Sequence, residues 1–447
     1  LYGYRTESID IDDDIVGKRV VYLNQTSINI KEVKIKPPNI TSSKDTIRYQ
    51  VYKFAHEMSR SIGDVLKNMP GIEVTPSGGV IYNGKAINRF YIEGMNLLDN
   101  KYGIAVNNVD FKDVSQVEIL ENHQPVRALE ETIGTDRAAL NLKLKDGSKN
   151  KWIGHVNAGV GITPFLWDVS TTAMEMSSKW QSINVFKTNN TGQNITQELK
   201  SQNIEDIING LENNVNISNP FQMQFTPPSS LEESRYFLNK SLLANSRSIW
   251  NLRNNLTAKA GVSLTRDRLK NEMQSQRSYL TSDSTFSFNE FSAFAETPSA
   301  LDATINFNKN IKQFYLDNTL EAKVQWDETN VQTGGKINNL QSGNSRHFSV
   351  ENKFNFLKVI RGRRISLNSF IQYDHQDLNG LVNYENSKVL NQSYKLASFF
   401  QHSNLGGSFS FIGLSIDNKL GWKESIKNTS SLLMDNTNYL SLDSELL

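Results

Sequence analysis

Residues 61–74 read Ser-Ile-Gly-Asp-Val-Leu-Lys-Asn-Met-Pro-Gly-Ile-Glu-Val, and residues 81–85 read Ile-Tyr-Asn-Gly-Lys. Residues 90–96 read Phe-Tyr-Ile-Glu-Gly-Met-Asn, and residues 114–125 read Val-Ser-Gln-Val-Glu-Ile-Leu-Glu-Asn-His-Gln-Pro. Ser59 or Ser61 is placed to cap a helix in which Ile62, Val65, Leu66 and Met69 share one face. Pro70-Gly71 stops it. Short strands are expected at 72–74, 80–82, 90–92, 117–120 and 140–144, with turns at Gly78-Gly79 and Asn83-Gly84. Gly71, Gly84 and Gly94 fall where a turn would strain a Cβ. The spacing predicts a small α/β domain over residues 45–146.

From Lys151 onward the period becomes two. Trp152, Gly154, Val156, Ala158, Val160 and Ile162 share one face, with Asn157, Gly159, Gly161 and Thr163 on the other. The pattern recurs in Leu256, Ala258, Ala260, Val262 and Leu264, and in Leu316, Leu320, Ala322, Val324 and Trp326. It returns in Phe348, Val350, Phe354 and Phe356, in Ile365, Leu367, Ile371 and Tyr373, and in Ile412, Leu414, Ile416, Leu420 and Trp422. Strands of ~9–12 residues with one apolar and one polar face, joined without helices, carry the signature of a membrane barrel. A soluble sandwich alternates too. All six Trp lie at or beyond residue 152, as an interfacial aromatic belt requires. Asp317, Glu321 and Lys323 crowd the face opposite the apolar one, which suits a wet or filled lumen.

Between Asn190 and Arg235 the alternation fails. Ile204, Ile207, Ile208 and Leu211 have helical spacing, followed by Pro220 and Pro227-Pro228. A connection of this length reads as an external loop of a barrel. Residues 1–44 read as the tail of an upstream β domain plus a linker, with strand-like alternation at 20–23 and 30–35 and a stop at Pro37-Pro38. Asp10, Asp12, Asp13 and Asp14 lack the Gly and terminal Glu of a calcium loop and read as a solvated acidic loop. Leu1 is no initiator, and the run ending at Leu447 has no evident closing strand, so the chain reads as a piece of a longer protein.

Composition narrows the function classes. The 48 basic and 47 acidic residues give a net charge of +1, without the basic excess of a nucleic-acid binder. The absence of Cys excludes disulfides and thiol catalysis. Mean hydropathy is −0.48, and no apolar run approaches the ~18–20 residues of a spanning helix. His56, His123, His155, His347, His375 and His402 include no zinc-helix spacing, and no nucleophile elbow, Walker loop or dinucleotide fingerprint is present. His123 reads as a turn-stabilising residue or a ligand contact, Glu130-Glu131 as a solvated edge, and the Arg361-Gly-Arg-Arg364 run as a basic hairpin turn. Neither an enzyme nor a bound cofactor or metal is expected.

The order of helix, Pro-Gly break, short strands with Gly turns and a Val-Glu-Ile-Leu strand resembles the plug domain of TonB-dependent outer-membrane receptors. The motifs fall in sequence over about 90 residues. Where many members carry a Gly-Pro turn and a Tyr-Gly, this chain reads Glu121-Asn-His-Gln-Pro-Val-Arg-Ala-Leu, which marks a divergent branch. The resemblance implies a mostly β fold: a small α/β plug over 45–146, then part of an antiparallel transmembrane β-barrel over 147–447. It also implies a carboxypeptidase-regulatory-like domain upstream. The implied function is energised uptake of an unidentified nutrient across the bacterial outer membrane. The implied partners are the TonB complex, through a segment not evident in this chain, the outer-membrane lipids, a lipoprotein, and a small ligand or glycan. Outward-facing plug loops would supply Asn83, Lys85, Asn96, Asn100 and Tyr102, an aromatic hydroxyl and paired amides suited to a polar or glycan-like ligand. Read singly, each is also a turn former. Two alternatives stay open: a non-transporting outer-membrane assembly or secretion component that uses a plugged barrel as a docking platform, and a soluble β adhesin.

Overall fold

The computed structural model describes residues 8, 20–25, 40–202, 233–280, 284–335, 338–360, 363–385, 388–411 and 414–446. The acidic cluster at 10–14, the strand expected at 30–35, the helical spacing at 204–211, Arg361 and Ile412 lie outside these residues. Two compact units separate at Pro38. In the first, residues 20–23 form no strand and expose Val20 and Tyr22.

In the second unit a five-stranded sheet has the order β1-β2-β7-β8-β6, with β1 (Ile40–Ser43), β2 (Thr46–Gln50), β6 (Arg89–Ile92), β7 (Val114–Leu120) and β8 (Ala139–Leu144). Only β6 and β8 run parallel. Because β1 pairs with β2 from Ile40 onward, the α/β domain begins before the expected residue 45. A small second sheet joins β3 (Ile72–Val74), β4 (Val80–Tyr82) and β5 (Lys85–Ala86). The expected helix is α1 (Ile62–Leu66), and Ser61 is its cap. The Ser61 Oγ accepts from the Asp64 N–H, and the Asp64 carboxylate accepts from the Ser61 N–H, a reciprocal capping box. Ile62, Val65 and Leu66 are fully buried against α2 (Gly103–Asn108). Gly71, Gly84 and Gly94 each carry φ +78°, as expected of their turns. Gly78 meets α2 more closely still: a Cβ there would lie 2.6 Å from the Gly103 Cα.

After residue 151 the chain forms one antiparallel 13-stranded sheet. Its strands are β9 (Trp152–Gly161), β10 (Leu166–Met176), β11 (Trp180–Asn189), β12 (Ser241–Asn251), β13 (Leu256–Arg266), β14 (Leu269–Leu280), β15 (Thr285–Ile311), β16 (Phe314–Gly334), β17 (Asn339–Ile360), β18 (Arg363–Tyr384), β19 (Val389–Phe411), β20 (Leu414–Met434) and β21 (Tyr439–Leu446). Neighbours pair in chain order except at β15, which pairs with β14 along its first half and with β13 along its second. Pro298 stands at that change of partner, where its missing N–H leaves no ladder bond unmade. β15 to β20 run for 21 to 27 residues, longer than the expected ~9–12, because the alternation continues past any length a lipid core would demand.

The register gathers the apolar positions on one side. Leu316, Phe356, Leu367, Leu405 and Leu420 follow one another across β16 to β20, and Leu264, Leu301, Val324 and Phe348 across β13, β15, β16 and β17. Most of these side chains are exposed, Leu405 retaining 55% of its surface and Leu420 76%, and on β9 Val160 retains 80%. The opposite face holds Asp317, Thr319 and Glu321, and the α/β domain packs against that face. The fold class is the expected one: mostly β, a small α/β plug followed by part of an antiparallel β-barrel wall.

Removing the α1 cap gives a direct check. Ser61→Ala is expected to cost about 1 kcal/mol of local stability. In native-state hydrogen exchange this appears as roughly fivefold faster exchange of the α1 amides, and Ser61→Thr should restore protection. An unchanged rate would show that the capping box does not hold α1.

Candidate functional site

The contacts between plug and wall form the site, and each comes from a short plug segment meeting an inward-facing strand position. The rim where β9 leaves the plug carries the β15–β16 turn at 312–313, and the Trp152, Trp180 and Trp250 rings stand on the outer face there. Trp152 and Trp180 meet edge to face at 5.7 Å, and Trp180 pairs in register with Trp250. On the plug side of this rim, Asn310 donates to the Pro125 carbonyl at 2.7 Å and accepts from the Arg127 N–H at 2.9 Å. His155 on β9 bonds Asp113 at 2.6 Å, which ties the first wall strand to the plug.

Deeper in, residues 96–102 face the wall. Asn96 donates to Asp99 at 3.0 Å, and Asp99 pairs with Lys259 of β13. Lys101 pairs with Glu321 of β16 at 3.5 Å. Arg247 of β12, only 7% exposed, lies within electrostatic reach of Asp99, Glu321 and Asp302. A strap at residues 195–202, leaving β11 at the far rim, closes over the plug. Gln202 donates its backbone N–H to the Asn100 carbonyl at 2.8 Å and its amide to the Ser77 carbonyl at 3.1 Å. The buried Glu198 accepts from Asn108 of α2 at 2.8 Å and from Lys187 of β11 at 2.6 Å.

The five side chains expected to face a ligand separate into three settings. Asn96 and Asn100 lie in the segment that meets the wall and the strap. Asn83, at φ 48°, forms the β4–β5 turn with Gly84, and Lys85 pairs with Asp136 at 2.5 Å on the exposed plug surface. Those two therefore sit apart from the Asn96–Asn100 segment. Tyr102 is a core residue, 1% exposed, its ring stacked on Phe90 at 5.2 Å. Its hydroxyl accepts from the Val80 N–H, and burial pushes its pKa up to about 12. An aromatic in a mixed turn sequence reads as an exposed contact. Here it starts a helix whose inner face is the plug core, so burial of the ring wins. Reading by residue also missed Lys259 and Arg247. Lys259 stands between Ala258 and Ala260 and Arg247 between Ser246 and Ser248, and only the plug's position brings acidic groups to them.

His123 takes the turn-stabilising role. Its Nδ1 bonds the Asn88 Oδ1 at 2.9 Å, its Nε2 bonds the Tyr91 hydroxyl at 3.2 Å, and its carbonyl accepts from the Asn88 amide. Asn88 Oδ1 can only accept, so Nδ1 carries the proton and Nε2 accepts from Tyr91, the arrangement of a neutral ring. Burial, joined by the nearby Arg89 charge, depresses its pKa to about 4. Among the described residues no group of three or more His, Asp or Glu is placed to hold a metal.

No family model and no curated protein matches the chain. Solved receptors are among the structures it resembles. The ferric yersiniabactin uptake receptor FyuA from Yersinia pestis is 9% identical over 90% of this chain and 60% of its own, with a TM-score of 0.40. The unliganded ferric citrate transporter FecA is 7% identical over 90% and 58%, with a TM-score of 0.34. The siderophore receptor PiuA from Acinetobacter baumannii is 10% identical over 87% and 62%, with a TM-score of 0.31. This chain thus spans roughly three fifths of the length of each. At such scores the likeness carries no weight of its own, and the fold rests on the strand order and register above.

Acidification should strain the 121–137 loop. The folded-state pKa of His123 lies below the ordinary 6.5, so its contribution to stability is complete above about pH 6.5 and is lost as pH falls toward 4. The melting temperature of the intact protein should fall over that window, and His123→Gln should flatten the fall. An equal slope in the variant would assign the acid sensitivity to other groups.

Proposed function

We propose that this chain is a receptor of the bacterial outer membrane that takes up a polar nutrient, driven through the TonB complex. The two-faced wall carries this reading. Its outer face is a continuous band of Leu, Val, Ile and Phe, and its inner face is charged and bonded to a plug. A soluble sandwich would bury the apolar face instead. Lipid covers such a face without cost, and closed antiparallel ladders leave few backbone groups unmade in lipid. The Trp152, Trp180 and Trp250 group suits the headgroup level at the rim where β9 leaves the plug. A tilted strand crosses the bilayer with ~9–11 residues, so the long β15 to β20 would stand out of it at the far rim, where external loops belong.

In this reading the plug blocks the lumen until energy from TonB displaces it. The ligand approaches from the far rim, and Asn96 and Asn100 stand on the side it would reach, under the strap. Tyr102 takes no direct part, and Asn83 and Lys85 lie elsewhere on the plug. The lipoprotein partner and the identity of the nutrient rest on the family resemblance alone.

Two measurements test this. In lipid, Val160→Arg or Val324→Arg should cost about 2–4 kcal/mol in a folding assay, while Asn157→Arg on the inner face is tolerated. Equal costs on both faces would return the wall to a soluble sandwich. In cells, loss of the protein should abolish growth on one nutrient of a panel, and a protonophore should stop its uptake while leaving its binding. Uptake indifferent to both would overturn the transport reading.

A further inference from the structure

The plug is seated on the wall by two unlike seams. Against β10 to β12 its core is continuous with the wall: Met174, Met176, Ile183, Val185, Leu243 and Ile249 join Ile92, Leu98 and Val106 in one buried cluster. The strap reinforces this side, since Glu198 ties Asn108 of the plug to Lys187 of β11, and Gln202 ties Ser77 and Asn100. Against β13 to β16 the seat is polar: Asn310 of β15 bonds Pro125 and Arg127 at the rim, and deeper in the contacts are ionic. Asp99 pairs with the buried Lys259, and Lys101 with the half-buried Glu321, beside Asp302 and Asp317 and next to Arg247 of β12. The change falls on β12, whose inner face holds Leu243 and Ile249 beside Arg247.

We propose that, of these two seams, the passage opens at the ionic one. The plug and the β10–β12 sector stay together as one block, and the plug parts from β13 to β16. This deepens the uptake reading and rests on it for the cargo. Ion pairs are directional and lose their strength when water and salt enter the gap, whereas separating the apolar seam exposes methyl and methylene groups to that water. The opened cleft would be lined by Asp99, Lys101, Lys259, Asp302 and Glu321. It therefore favours a hydrophilic cargo with hydrogen-bonding groups over an apolar one.

The chain contains no Cys, so single cysteines report cleanly. Ser263, buried on the inner face of β13 opposite Asp302, samples the ionic seam, and Val185, buried on β11, samples the apolar one. Full-length protein carrying Ser263→Cys or Val185→Cys would be labelled in outer-membrane vesicles with a maleimide-bearing polyethylene glycol. Adding Asp99→Asn with Lys101→Met should speed labelling at 263 by about tenfold, the change that a loss of about 1.4 kcal/mol from one opening equilibrium produces. Labelling at 185 should not change. Equal acceleration at both sites, acceleration at 185 alone, or none at either overturns the proposal. If the double variant does not assemble, 1 M NaCl applied to the two single-cysteine proteins replaces it, because salt screens the same pairs, and the same outcomes decide. Labelling needs no nutrient and no TonB. Failed uptake with asymmetric labelling would sink the transport reading alone, and normal uptake with symmetric labelling would sink the one-sided opening alone.

Discussion

A β-sheet with opposite characters on its two faces must find two different surroundings, and this requirement organises the molecule. Side chains alternate strictly along a strand, so one register sends Leu264, Leu301, Val324, Phe348, Leu367, Leu405 and Leu420 outward and Lys259, Asp302, Asp317 and Glu321 inward. A one-residue slip would reverse both sets. The inner face is too charged to close on itself as an apolar core. It is satisfied by a separate domain whose loops present carbonyls, amides and counter-charges at matching heights. Asn310 bridging Pro125 and Arg127 at the rim and Lys101 meeting Glu321 deeper in are two levels of one fit.

The plug meets a second constraint. It must hold its own shape while its edges stay polar enough to leave the wall. A small domain does this by concentrating its apolar groups. Ile62, Val65, Leu66, Ile104, Val117, Ile119, Leu140 and Leu142 are all fully buried. Burial at ~1.5–3 kcal/mol per side chain supports the domain without help from its rim. Its close approaches use residues without side chains: Gly78 and Gly103 let the β3–β4 turn lie against the start of α2, and the strap passes over both. The conformation of this turn is thus set by backbone contact, which leaves the exposed loops free to differ.

Local structure was legible in the sequence wherever one short-range cause suffices. Ser59 or Ser61 ahead of an apolar face predicts a capped helix start, Asn83-Gly84 predicts a turn, and the period-two runs predict the wall strands. Features that depend on distant partners were not legible. That β1 belongs to the plug sheet depends on β2 pairing with β7, some 70 residues on. The length of β15 depends on two successive partners, β14 and β13. The candidate site divides in the same way. Glu321 was readable as an inward charge from its own strand. Lys259 and Glu198 become functional candidates only once Asp99 and Asn108 are placed beside them, and Tyr102 became a core residue only once Phe90 was found under its ring.

The contrast between the seams bears on how a plug can be both tight and movable. The attraction within a pair such as Asp99–Lys259 is offset by the cost of taking both charges out of water, so the ionic side resists leakage by shape and charge matching while offering little net resistance to parting. The six apolar wall residues behind β10 to β12 are each worth more than such a pair when buried, and they act together because they share one core. On this proposal a force applied to the plug meets less resistance along β13 to β16 than along β10 to β12. Uniform apolar packing would make the plug a permanent part of the wall. Uniform ionic packing would let it go entirely. The arrangement observed keeps the plug tethered on one side, next to the strap that touches both its apex and β11, so that a displaced plug has a fixed neighbour against which to return.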